Sequence, residues 1–204
     1  MNERSVSLAH DSIELEALYF EAESESGAVI THPHPLYGGD MSNPVVAAIA
    51  QAYQQAGYST LRFNFRGVGN STGRHGGGRD EQEDVRTALD YLHENGKRNV
   101  ELAGYSFGAW VNAMAVAEDV SAPPLIMVAP PVALLDFEPV TTLPTLRLVI
   151  TGEFDHYAPV GALGELLQRW NPQARLEVIP EADHFYFGYG DVLRGKLKDH
   201  FLDS

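Results

Sequence analysis

Asn99-Val100-Glu101-Leu102-Ala103-Gly104-Tyr105-Ser106-Phe107-Gly108-Ala109-Trp110-Val111 is the stretch on which the reading of the whole chain turns. Its first half alternates apolar with polar residues and then becomes apolar, as a buried strand does; from Phe107 through Ala117 the small residues read as a helix. Ser106 stands at the turn between them. So sharp a strand-to-helix turn forces the serine into a strained backbone conformation and lifts its hydroxyl clear of the sheet. A side chain at 104 or 108 would collide with the neighbouring strand or helix, so Gly104 and Gly108 answer a steric need. A Gly-x-Ser-x-Gly spacing also closes ordinary turns. The strand before it and the helix after it are what make Ser106 a candidate nucleophile.

Working outward, the same alternation of elements continues in both directions. Ser5 to Ala9 and Ile13 to Phe20 alternate around His10-Asp11-Ser12 and read as a hairpin that closes one edge of a sheet. Ala28 to Thr31 is a short buried strand running into His32-Pro33-His34-Pro35-Leu36-Tyr37-Gly38-Gly39. A helix begins at Pro44, capped by Asn43 or Ser42, and stops at Gly57. Ser59 to Phe65 is a strand. The glycine-rich loop after it lacks a Gly-Lys-Ser/Thr ending and carries Thr72 where a dinucleotide fingerprint needs its last glycine, so it reads as a structural turn. A helix from Arg79 to Glu94 follows, with acidic residues in its first turns, where the helix dipole favours them. Beyond Ala117 come strands at Leu125–Ala129, Leu146–Thr151 and Arg175–Ile179, with helices at Val160–Trp170 and Asp191–Leu202. Strands alternating with helices predict an α/β fold: a mostly parallel, doubly wound sheet covered by helices on both faces.

The 204 residues suit one domain, 1–204, with 44% hydrophobic content and no repeat, linker or low-complexity tract. A formal charge of −14, from 28 acidic against 14 basic residues, argues against nucleic acid or an anionic membrane as partner. The absence of cysteine removes disulfide, thiolate and cysteine–metal chemistry together and fits a reducing compartment. The first residues carry no signal-peptide core, and no apolar run approaches the ~18 residues of a membrane span, so the expectation is a soluble, cytoplasmic protein, monomer or homodimer.

A serine hydroxyl is a poor nucleophile at neutral pH and needs a base within reach, itself oriented by a carboxylate. In open parallel sheets such groups gather just after the carboxyl ends of strands. Asp155 follows the strand ending at Thr151, and His184 the strand ending at Ile179. Asp136, after Ala129 and two prolines, is a rival acid. Asp183, bonded next to the histidine, is ill placed to reach its far nitrogen, and Glu153 lies too near the strand end. The negative oxygen formed on attack needs two N–H donors, one from the residue after the nucleophile, Phe107, and one from the loop after the third strand. Pro33 and Pro35 have no N–H, which leaves His34, with Leu36 and Tyr37 behind it. His32 and His34 also alternate as paired metal ligands would, without a third ligand beside them.

The order nucleophile, acid, base is the one expected of an α/β-hydrolase fold. The chain resembles the small, lidless bacterial α/β-hydrolases related to the dienelactone hydrolases. The resemblance rests on His32-Pro33-His34-Pro35 with Tyr37-Gly38-Gly39, on Arg62-Phe63-Asn64-Phe65-Arg66-Gly67-Val68-Gly69-Asn70-Ser71, on Gly104-Tyr105-Ser106-Phe107-Gly108, on Val128-Ala129-Pro130-Pro131, on Gly152 with Asp155, and on Ala182-Asp183-His184-Phe185. It implies Ser106, Asp155 and His184 as a catalytic triad. The serine stands where dienelactone hydrolases proper have cysteine, so their substrate does not carry over, and the basic loop Arg74-His75-Gly76-Gly77-Gly78-Arg79 departs from the pattern. The expectation is a cofactor-free serine hydrolase of small carboxylic esters; a thioesterase, a peptidase and a binding protein that keeps the fold are the alternatives. The segment Pro130 to Thr145, about sixteen residues with four prolines, is too short for a cap domain. Substrate would then meet aromatics beside the triad, namely Tyr37, Tyr105, Phe154, Tyr157 and Phe185.

Overall fold

A computed structural model of the protein describes residues 2–119 and 121–202. Arg4–His10 (β1) and Ile13–Phe20 (β2) form the expected hairpin, turning through Asp11, whose φ of 50° is one that aspartate tolerates. Leu15, Ala17 and Tyr19 of β2 all face the core, the period-2 burial of a strand with one face packed. Ser59–Phe63 (β4) pairs antiparallel with β2. Ser26–Thr31 (β3), Asn99–Tyr105 (β5), Leu125–Val128 (β6), Leu146–Gly152 (β7) and Arg175–Ile179 (β8) complete one eight-stranded sheet in the order β1-β2-β4-β3-β5-β6-β7-β8, parallel from β4 onward. The apolar runs of β3 and β6 are buried on both sides, which is why they do not alternate.

The helices are Pro44–Gln55 (α1), Glu81–Glu94 (α2), Phe107–Val116 (α3), Val160–Trp170 (α4) and Gly190–Leu202 (α5). Asn43 caps α1 as expected, its Oδ1 accepting from the N–H of Val45 at 2.9 Å. The crossover through α1 steps from β3 to β4, whereas the one through α2 steps back past β3 to β5. Right-handed crossovers running in opposite directions put α1 and α2 on opposite faces, and α1 packs against α5 while α2 packs against α3. At this reversal the loops after β3 and β5 part, opening a crevice over the strand ends.

Two boundaries depart from the sequence reading. β4 ends at Phe63 rather than Phe65, because the N–H of Phe65 is drawn off the ladder to the ring of His32 at 3.0 Å. Helix α2 starts at Glu81 rather than Arg79, because the carboxylate of Glu81 turns back to bind the N–H groups of Gly76 and Gly78 and keeps the intervening residues in a loop. Between Val128 and Leu146 there is neither helix nor strand, so no lid covers the crevice.

The turn at Ser106 has φ 54° and ψ −118°, a conformation costing on the order of 1–3 kcal/mol for a residue with a side chain. Close packing holds it. A Cβ at Gly104 would lie 2.6 Å from the N–H nitrogen of Ala109 and from Thr31 Oγ1; at Gly108 it would lie 2.5 Å from Thr31 Oγ1 and 2.7 Å from the Thr31 carbonyl carbon. The Gly108→Ala variant should therefore lose about 1–3 kcal/mol. Gly164→Ala, on α4 with nothing within 4 Å of the new methyl, should gain about 0.5–1 kcal/mol. Urea unfolding of the two proteins checks both signs, and equal stabilities would contradict the steric account of the turn.

Candidate active site

Four strand ends deliver the site. Ser106 follows β5, Asp155 follows β7, His184 follows β8, and the His32–Gly39 loop follows β3. Ser106 Oγ lies 2.9 Å from His184 Nε2, and His184 Nδ1 lies 2.8 Å from Asp155 Oδ2. The second oxygen of Asp155 accepts the N–H groups of Tyr157 at 2.9 Å and Ala158 at 2.8 Å. This buried carboxylate thus has both oxygens engaged, with one aimed at the imidazole. A carboxylate facing Nδ1 puts the proton on that nitrogen and leaves Nε2 to accept from the serine hydroxyl. The phenol of Tyr105 donates to the backbone oxygen of His184 at 2.8 Å and so ties the histidine loop to the strand that Ser106 follows. Burial pushes that phenol's pKa up and keeps it a neutral donor.

The rival carboxylates are occupied elsewhere. Asp136 Oδ1 accepts the N–H of Glu138, Asp183 Oδ1 that of Phe185, and Glu153 Oε2 that of Glu181. Of the loop donors, Leu36 does not stay free: its N–H is taken by the ring Nδ1 of His34 at 3.2 Å, and that of Tyr37 by the His34 carbonyl at 3.1 Å. The N–H groups of His34 and Phe107 have no acceptor among the described residues. Phe107 N–H is also the first of α3, where the helix dipole favours negative charge.

His32 belongs to the framework. It is fully buried; its Nδ1 donates to the Pro33 carbonyl at 2.7 Å while its Nε2 accepts from Phe65. With both nitrogens engaged it cannot pair with His34 around a metal ion, and no cluster of three or more metal-ligating side chains occurs among the described residues.

A cavity of about 440 Å³ opens over Ser106 and His184. Tyr37, Tyr105, Tyr157 and Phe185 line it as expected, together with His34 and Phe107. Phe154 does not: it is about half exposed and outside the cavity lining, its N–H donating to the Ala182 carbonyl so that the acid and base loops are tied together. Missed in the sequence were Pro131, Leu134 and Leu135, which form an aliphatic wall from the segment after β6. That segment has no periodicity; its only signal was an apolar pair following two prolines.

Sheet order, strained serine turn and open crevice together define an α/β-hydrolase fold without a lid. Residues 38–143 match the family described as "Serine aminopeptidase, S33", a stretch that holds Ser106 but ends before Asp155 and His184. An α/β serine hydrolase homologue from Coxiella burnetii superposes with a TM-score of 0.88 at 32% identity, covering 98% of this chain and 97% of that one. A lidless α/β serine hydrolase from Xanthomonas campestris gives 0.88 at 31% identity, covering 98% and 94%. An uncharacterized protein of Rickettsia prowazekii is 33% identical over 200 residues, 92% of this chain and 84% of that one. The chain belongs to the serine aminopeptidase S33 family of hydrolases. No helix among the described residues is long and apolar enough to cross a membrane.

The site has a built-in sensitivity to acid. Burial lowers the pKa of His32 from an ordinary 6.5 to about 4. The unfolded chain takes up a proton near pH 6.5 that the folded chain refuses until about pH 4, so the stabilisation is complete above 6.5 and is lost as the pH falls between the two. The difference amounts to roughly 3 kcal/mol. Unfolding free energies measured at pH 7 and pH 4 should therefore fall by about that much more for the wild type than for His32→Gln, which cannot titrate. Parallel pH profiles would rule out His32 as the source.

Proposed function

We propose that the protein hydrolyses small, neutral carboxylic esters through an acyl-enzyme on Ser106. The observation that carries this reading is the unbroken hydrogen-bond chain from Ser106 Oγ through His184 to Asp155. As the serine oxygen attacks the ester carbon, its proton passes to His184 Nε2, and Asp155 stabilises the imidazolium that results. The carbonyl oxygen becomes negative and is met by the N–H groups of Phe107 and His34. His184 then returns the proton to the departing alcohol, and a water molecule, activated by the same nitrogen, releases the acid and restores the serine.

Ester is preferred to the N-terminal peptide that the family description suggests. An aminopeptidase substrate carries an ammonium group that needs a carboxylate in the pocket, and among the described residues no Asp, Glu, Lys or Arg lines this cavity. The walls are aromatic, aliphatic or neutral polar, and they suit an uncharged substrate.

Fluorophosphonate labelling tests the nucleophile. The wild type should take the label and Ser106→Ala should not, with the fold retained, since a methyl fits where the hydroxyl was. Asp155→Asn should lower turnover by roughly 10³–10⁴-fold through loss of the correct imidazole tautomer, whereas Asp136→Asn should leave it near wild type. Reversed penalties would move the acid to the segment after β6.

Chain-length preference follows from the missing lid. Tyr37 is 83% exposed, Leu134 56% and Phe185 52%, so the rim is shallow. A methylene beyond it gains little of the ~0.8 kcal/mol that burial would give. For p-nitrophenyl esters, kcat/KM should peak at acyl chains of about two to four carbons, given that limit on burial. A value still rising at about eight carbons would require a deep acyl channel.

A further inference from the structure

The glycine-rich loop at residues 74–79 is needed neither to close the sheet nor to supply the reacting groups, yet a wholly buried carboxylate is dedicated to it. Glu81 is inaccessible to solvent. Its Oε1 accepts the N–H of Gly76 at 2.8 Å and lies 2.7 Å from Nδ1 of His75, and its Oε2 accepts the N–H of Gly78 at 2.7 Å. The approach to His75 is bent, so it is a close electrostatic contact rather than an aligned hydrogen bond. Withdrawing a carboxylate from water is costly unless its oxygens are occupied, and here they converge on one loop. The glycines are required by the same arrangement. A Cβ on Gly76 would meet the Asp80 side chain at 2.6 Å, and Gly78 has a φ of +90° with its α-carbon against the Trp110 ring. What this loop presents is the ring of His75.

That ring does not line the cavity over Ser106. It stands behind the loop after β3, lining a second cavity of about 340 Å³ together with Pro35, Leu36, Gly38 and Gly39. Its centroid is 5.3 Å from the ring of His34 and 5.6 Å from that of Phe107, and the His34 and Phe107 rings are 4.6 Å apart. Three rings therefore close a triangle, and two of them belong to the residues whose backbone N–H groups have no acceptor. The His34 ring also accepts the Leu36 N–H, so its orientation fixes the loop that carries its own N–H. Accepting on Nδ1 requires the neutral ring, and burial, followed by the neighbouring His75, lowers the His34 pKa in keeping with it.

We infer that His75, held by Glu81, is a positioning residue for the oxyanion hole: it fixes the His34 ring and thereby the distance between the N–H groups of His34 and Phe107. The inference rests on the reading above of those two groups as the oxyanion donors. Negative charge on the substrate oxygen develops only in the transition state, so a displaced donor weakens binding there and leaves ground-state binding alone. Deleting such a donor outright costs about 10²–10³-fold, and loosening one should cost roughly 10–100-fold.

The test compares wild type with His75→Ala, His75→Gln and His75→Phe on p-nitrophenyl acetate, with fluorophosphonate labelling, thermal melts and inhibition by a trifluoromethyl ketone, which adds the serine and carries an oxyanion. The Ala and Gln variants should lose roughly 10–100-fold in kcat with KM within about threefold of wild type, and the ketone should bind more weakly by the same factor as the loss in kcat/KM. The Phe variant, which restores a ring without a nitrogen, should recover most of the loss. The Gln variant keeps the side-chain volume and a donor toward Glu81, and decides the matter if the Ala variant does not fold. A folded variant with kcat within about twofold of wild type, a loss carried by KM, or a kcat loss with unchanged ketone affinity would overturn the inference. Wild-type protein that takes no label would overturn the nucleophile assignment and this inference together; labelled wild type with unaffected His75 variants would overturn this inference alone.

Discussion

The contact of Thr31 with Gly104 and Gly108 is the constraint on which the rest depends. Thr31 is the last residue of β3, and its hydroxyl and backbone occupy the space that side chains on the serine turn would need. Because β3 and β5 lie side by side with Thr31 opposite Gly104, the start of α3 is pressed onto the sheet where the two loops diverge. The backbone at Ser106 has no room to relax out of its positive φ. Strain of this kind persists only where surrounding structure over-determines it, and here the over-determination comes from two missing side chains.

The other functional loops inherit their positions from that contact. One residue beyond Thr31, His32 bonds with one ring nitrogen to its own loop and with the other to the segment after β4. Tyr105, one residue before the serine, reaches the backbone of His184. Phe154, beside Asp155, bonds the backbone of Ala182. Ser106 and Asp155 thus each have a sequence neighbour that ties their loop to the histidine loop, and His184 is held at its own carbonyl. The geometry is distributed over backbone-directed bonds that tolerate variation in the side chains facing substrate.

Much of this was legible in the sequence because the physics is local and its residue requirements are narrow. Glycines at 104 and 108 follow from sterics, and Asp155 and His184 follow from strand ends, since the chemistry needs groups there and the sheet places them. What could not be read depends on where side chains turn once the chain is folded. That the N–H of Leu36 is consumed by the His34 ring is a bond between residues two apart, invisible to any periodicity. Phe154 stands beside the acid in sequence but is absent from the cavity lining, a matter of side-chain placement that proximity in sequence does not fix. The aliphatic wall of Leu134 and Leu135 lies in an irregular stretch, where neither a 3.6 nor a 2.0 repeat says which way a residue faces. The helix start at Glu81 was misplaced because a carboxylate that favours a helix N-terminus here serves the preceding loop.

The segment between β6 and β7 divides its labour unevenly. Its backbone is anchored near its middle, by Trp110 of α3 donating to the Asp136 carbonyl and by Trp170 of α4 donating to that of Val140, while the side chains of Leu134 and Leu135 meet the cavity. Among the described residues its one backbone bond toward the acid loop is that of Ala133 N–H to the Tyr157 carbonyl at 2.9 Å, while the Leu134 and Leu135 side chains make no hydrogen bond to the serine–histidine–aspartate chain. Heritable substitution at Leu134 and Leu135 can therefore reshape what the cavity accepts while leaving the backbone bonds of the segment, and the reacting groups, where they are. The same scaffold can change the shape of what it admits through viable intermediates.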